Sequence, residues 1–99
     1  MTIDIDSLPI TNNPERSRFE LIAGEEIAWL DYEREGDLIR YTHTEVPPAL
    51  RGKGLGNKLA FAVLEYAVAN KLEVEAECPV VAKYVKEHSE YHDITRNHE

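Results

Sequence analysis

The chain has 99 residues, 42% of them hydrophobic and 30% charged, with a formal net charge of −8. That is enough for one soluble globular domain with one core, not two. So acidic a chain argues against a general nucleic-acid binder, and no apolar run approaches the roughly 18 residues of a membrane span.

Residues 1–16 are polar, carry Pro9 and Pro14, and read as a loose lead-in. They lack the basic start and apolar block of a signal peptide. The single cysteine, Cys78, cannot form an internal disulfide. A cytoplasmic, reducing setting is therefore expected.

From Ser17 the pattern becomes strand-like. "RFELIA" sets Phe19 and Leu21 on one face, "EIAWLDYE" follows Gly24, and "DLIRYTHTEV" follows Glu35-Gly36-Asp37. Glycine beside an acid between β-rich runs signals hairpins. Residues 17–46 thus read as a three-stranded antiparallel meander, closed by Pro47-Pro48 because proline gives no ladder hydrogen bond.

At Leu55 the period changes. Leu55, Leu59, Val63 and Ala67 form one helical stripe, and Phe61, Leu64 and Val68 a second, leaving Asn57, Lys58 and Glu65 for water. A helix this apolar must be largely covered. Asn70-Lys71 closes it, and "LEVEAE" (72–77) alternates as a fourth strand. Cys78-Pro79 opens a last helix through "VVAKYVKEH", with Val81, Tyr84 and Val85 facing inward. The order is β-β-β-α-β-α, an α+β fold in one domain over 17–93 with a tail over 94–99. The third strand, central helix and fourth strand form a crossover, which favours a parallel pair.

The charge is uneven. Residues 1–50 carry 11 acids and 4 bases, but residues 51–58 carry Arg51, Lys53 and Lys58 and no acid. A positive island in an acidic chain suits a small anion better than a long polyanion. It coincides with Gly52, Gly54 and Gly56 between a strand and a helix start, where free amides and the helix dipole favour an anion. Glycine lets a phosphate approach the backbone, and cationic side chains add charge-assisted bonds. G-x-x-x-x-G-K-[ST] fails at Asn57 and G-x-G-x-x-G fails at Leu59. R-x-x-G-x-G fits Arg51, Gly54 and Gly56. His88 and His92 are helical neighbours, but no further ligand set accompanies them, so no metal is expected.

The stretch "RGKGLG", after a strand and opening a long helix, resembles the coenzyme A pyrophosphate loop of the Gcn5-related N-acetyltransferases. "HTEVPPALRGKGLGNKLA" with "ECPVVAKYVKEHSEY" is similar to very small members of that superfamily, over roughly residues 17–92. The resemblance implies a minimal acetyltransferase-like fold that binds acetyl-CoA. Thr44, Glu45 and Val46 would offer backbone groups to the pantetheine arm. The amides of Gly52, Lys53, Gly54, Leu55, Gly56 and Asn57, with Arg51, would hold the diphosphate. The third and fourth strands would splay to admit the thioester.

The resemblance further implies a role for Cys78, where a helix N-terminus favours the thiolate and acetyl could be relayed. Tyr84 would protonate the leaving sulfur or, with Lys83, line the cofactor arm. His43 or Glu45 would take a proton from the amine. The close link at Gly24 leaves out the N-terminal helices of longer members, so the acceptor site should be open. The acceptor would be a small amine or a protein side chain, with no nucleic-acid or membrane partner and a monomer or weak dimer. The alternative is a CoA- or acyl-CoA-binding module or sensor without turnover.

Overall fold

The computed structural model describes residues 8–96; the start of the lead-in and the end of the tail lie outside the described residues. Five strands form one sheet in sequential order. They are β1 (Ile10–Asn13), β2 (Arg18–Ala23), β3 (Glu26–Glu35), β4 (Leu38–Glu45) and β5 (Glu73–Ala76). A 3-10 turn over Pro48–Leu50 leads from β4 to α1 (Leu55–Ala69), and α2 (Pro79–Glu87) follows β5. A short 3-10 helix, Ser89–Ile94, comes last.

The three meander strands and the two helices fall where the periodicity puts them. β1 does not: the segment read as a loose lead-in contains a strand, paired antiparallel with β2 from Ile10↔Leu21 to Asn13↔Arg18. Its sequence, ITNN, has no apolar alternation to announce it. It is held from the side instead, where the Tyr32 hydroxyl donates to Asn12 Oδ1 at 2.8 Å. The stretch read as a tail also begins inside the fold, since Arg96 N donates to Val74 O at 2.9 Å.

Both helices pack on one face of the sheet. Phe19, Leu21, Ala28, Leu30, Ile39, Tyr41 and Val74 meet Leu59, Val63, Leu64, Val81 and Val85 in one core. The first helical stripe of α1, from Leu55 to Ala67, is buried as its spacing requires. The second is not, for Phe61 is 50% and Val68 47% exposed while Leu64 is buried. The sheet spans only one side of α1, so a helix apolar over more than half its girth leaves part of that surface in water. Tyr84, expected to face inward, is half-buried at the core's edge.

β4 and β5 pair parallel, as the strand–helix–strand crossover favours, over Leu38↔Glu73 to Tyr41↔Ala76. The ladder stops there. Glu77 N and Cys78 N both donate to Tyr41 O, at 3.0 and 2.8 Å, and the chain turns into α2. Residues 42–45 continue along β3 with no strand on their other side among the described residues.

One irregularity governs the second half of β4. Tyr41 pairs with Tyr32, but His43 pairs with Asp31, so Thr42 is an extra residue without a partner on β3. Side chains alternate along a strand, and one added residue inverts the alternation beyond it. Ile39 and Tyr41 point into the core. After the bulge the inward residue is Thr44, opposite the buried Leu30, and His43 and Glu45 stand on the uncovered face.

Candidate functional site

The loop after β4 is built from the backbone outward. Leu50, 2% exposed, anchors it to the core. Arg51 Nε donates to Val46 O at 3.0 Å, tying the loop to the strand end. Gly54 is the N-cap of α1 at φ +78°, ψ +16°, a left-handed conformation in which a side chain would be strained. Lacking a side chain, it caps none of the first-turn amides, and that turn holds no acid. Amide donors, the positive end of a 15-residue helix and Arg51 therefore lie together, with no acid in the first turn of that helix.

These groups surround a cavity of about 280 Å³, lined by Val46, Leu50, Arg51, Gly52, Gly54, Leu55, Gly56 and Asn57. Val46 and the loop residues expected at such a site thus meet in one depression. Lys53 is exposed in the same loop but does not line it. In the sequence, Leu50 carries only its apolar character as a signal of this anchoring role. Gly56 faces the start of α2, where a Cβ would lie 3.4 Å from Val80 Cγ1, in ordinary van der Waals contact.

Cys78 is fully buried. It caps α2 without a side-chain hydrogen bond to that helix, and its Sγ lies 2.8 Å from Thr44 Oγ1. The thiol and the hydroxyl thus link β4 to the start of α2 where the ladder ends. This side-chain pairing was not legible in the sequence, because it depends on the bulge turning Thr44 inward. The same bulge brings His43 and Glu45 together, with Nε2 3.2 Å from Oε1, on the opposite face of β4 from Cys78.

Tyr84 sits elsewhere. Its ring stacks on His88 with centroids 3.8 Å apart and lies 6.1 Å from Tyr91, whose hydroxyl donates to Glu65 Oε2 at 2.7 Å. Burial, and then the carboxylates of Glu90 and Glu65, raise the Tyr84 phenol above its ordinary value. Six residues of helix separate it from Cys78, about 9 Å along the axis. Lys83 is exposed, and neither residue lines the cavity. His88 Nδ1 and His92 Nε2 engage the backbone oxygens of Tyr84 and Val85. Among the described residues no group of three or more His, Cys, Asp or Glu is placed to hold a metal. Nor is any helix there long and apolar enough to cross a membrane.

Residues 18–94 match the family described as GCN5-related N-acetyl-transferase. Protein NATD1 of Gallus gallus and that of Mus musculus are each 43% identical over 61 residues, which is 61% of this chain and 56% of theirs. The chain thus matches little more than half the length of these relatives. Protein NATD1 of Danio rerio is 33% identical over 95 residues, covering 90% of this chain and 86% of its own. The solution NMR structure of a GCN5-like protein from Staphylococcus aureus superposes with a TM-score of 0.71 at 27% identity, covering 98% of this chain and 94% of that one.

Proposed function

This chain belongs to the GCN5-related N-acetyl-transferase family, and on that premise we propose that it binds acetyl-CoA and transfers the acetyl group to an amine. The observation that carries this reading is the cavity at the start of α1, continuous through Val46 with the open end of β4. At about 280 Å³ it suits a diphosphate rather than a whole coenzyme. The first-turn amides of α1, with Arg51 and the nearby Lys53, would hold that diphosphate. The backbone edge at Thr44 and Glu45, beyond the end of the β5 ladder, would hold the pantetheine arm together with Val46, whose carbonyl oxygen Arg51 engages. Bound, the coenzyme supplies an acetyl group activated as a thioester.

The chain then has two tasks, to orient the amine and to take its proton. His43 and Glu45 stand beside the opening on the uncovered sheet face. Nothing among the described residues covers that face, which fits an acceptor as large as a protein side chain, and the net charge of −8 favours a cationic one. The burial of Cys78, whose sulfur is already engaged by Thr44, favours direct attack by the amine over an acyl-cysteine relay. The position of Tyr84 beside His88 and Tyr91 favours a supporting role in packing over protonation of the leaving sulfur.

The test is calorimetric titration with acetyl-CoA beside intact-protein mass on the same sample, followed by a panel of amines. One-to-one binding, lost in Gly54→Glu, with acetylated amine and no stable protein adduct, is the expected result. An adduct mapping to Cys78 would replace direct transfer with the relay. Binding with no amine acetylated would leave a coenzyme-binding module, and no binding would overturn the reading.

A further inference from the structure

We infer that His43 and Glu45 are not rival bases but one unit, in which Glu45 is a positioning residue that turns His43 Nδ1 into the proton acceptor. The inference rests on the proposed acetyl transfer for its chemical role, but not for its geometry. Three observations carry it. His43 Nε2 lies 3.2 Å from Glu45 Oε1. The Thr42 bulge puts both residues on the uncovered face, where regular alternation would have sent them into the core. Both lie in the half of β4 that β5 leaves unpaired, next to the loop that carries the cavity.

The assignment of the nitrogen follows from donor and acceptor chemistry. An ionised carboxylate only accepts, so the ring nitrogen facing it must carry hydrogen. In the neutral imidazole the other nitrogen, Nδ1, then holds the lone pair. Glu45 thereby selects the tautomer and limits rotation of a side chain that is otherwise 57% exposed. Asp31, opposite His43 on β3, is the nearest other acid in the strand register. In the reaction the C–N bond forms and the thioester C–S bond breaks. One ammonium proton passes through His43 Nδ1 to solvent, and a second ends on the departing sulfur.

The test has a readout that needs no turnover. Long-range proton–nitrogen NMR of the neutral His43 ring should give two widely separated nitrogen frequencies, those of a single Nε2–H tautomer. Glu45→Ala should move both toward the average of a mixed population, and Glu45→Gln, which keeps an accepting oxygen, should restore them. In steady-state assays with a reactive amine, Glu45→Ala should lower kcat about 10-fold with little change in KM, as loss of a supporting partner does. His43→Ala should lower kcat about 100-fold or more, and the double variant should be no worse than His43→Ala alone. Unchanged ring frequencies in Glu45→Ala would overturn the pairing, whatever the activity. Additive losses in the double variant would overturn the claim that Glu45 acts through His43. If the parent acetylates no amine while the ring still responds to Glu45, the transfer reading fails, and with it the catalytic role of the pair.

Discussion

The two halves of β4 are built from neighbouring residues of one strand and do opposite things. From Leu38 to Tyr41 the strand is paired on both sides and largely buried, and the Tyr41 hydroxyl reaches Val63 O at 2.5 Å to fasten the sheet to α1. From Thr42 to Glu45 it is paired on one side only, carries a bulge and presents polar side chains to both faces. The first half is a support, and the second hangs from it as a half-satisfied edge on which a ligand's backbone-like arm could lie. Four of eight residues, left without β5 beside them, separate the supporting half from the half proposed to take the coenzyme's arm.

The largest effect should come from erasing the boundary. Deleting Thr42 removes the bulge and sends His43 and Glu45 toward the core. Burying unpaired polar groups costs a few kcal/mol each, against a total stability of about 5–15 kcal/mol. The expected outcome is loss of the cooperative melt by circular dichroism. Thr42→Ala, which keeps the extra residue, should melt near the parent. Next comes Gly54→Glu, just beyond the functional half. It sets a strained left-handed residue and a negative charge at the anion site, and should weaken acetyl-CoA binding about 100-fold, some 2.8 kcal/mol, by calorimetry.

In the supporting half, Tyr41→Phe removes one buried hydrogen bond and should cost about 1 kcal/mol in urea denaturation, with coenzyme binding intact. A loss of binding would mean that the two halves are not separable. Cys78→Ala should cost a similar ~1 kcal/mol, from lost packing at a fully buried position, and leave amine acetylation in place. Abolished turnover with retained binding would restore the cysteine relay.

The smallest effect is a pH dependence. Burial raises the phenols of Tyr41 and Tyr91 above their ordinary value of 10.0, and for Tyr91 the hydrogen bond to Glu65 adds to it. The folded chain therefore keeps protons that the unfolded chain gives up. Their contribution is complete below pH 10 and declines as pH rises above it. Tyr91→Phe should flatten that alkaline decline in melting temperature.

The two halves of β4 also mark how far the sequence could be read. "RFELIA" and "EIAWLDYE" alternate cleanly, and the stripe from Leu55 to Ala67 repeats at helical spacing, so the meander and α1 are legible. The loop is legible because glycine and cations coincide without acids. The bulge is not: "YTHTE" carries no apolar residue after Tyr41 whose face would reveal the inversion. The Thr44–Cys78 and His43–Glu45 contacts depend on that inversion, so they were hidden with it. β1 is illegible for a related reason, since a polar edge strand is held by its neighbour and not by its own pattern. Phe61 and Val68 mislead in the other direction, because an apolar residue on a helix does not say whether a sheet lies over it.

A single oxygen closes the parallel ladder. Tyr41 O takes the hydrogens of both Glu77 and Cys78, and after it β4 and β5 part company. The gap between them therefore opens at a point counted in rungs. Insertion or deletion at the end of β5 would move that point by whole residue steps of about 3.3 Å, never by a fraction. The depth of the opening is in this sense quantised. A donor arm of fixed length would find the gap in register or one full step away, and lengthening β5 one residue at a time would read that length out.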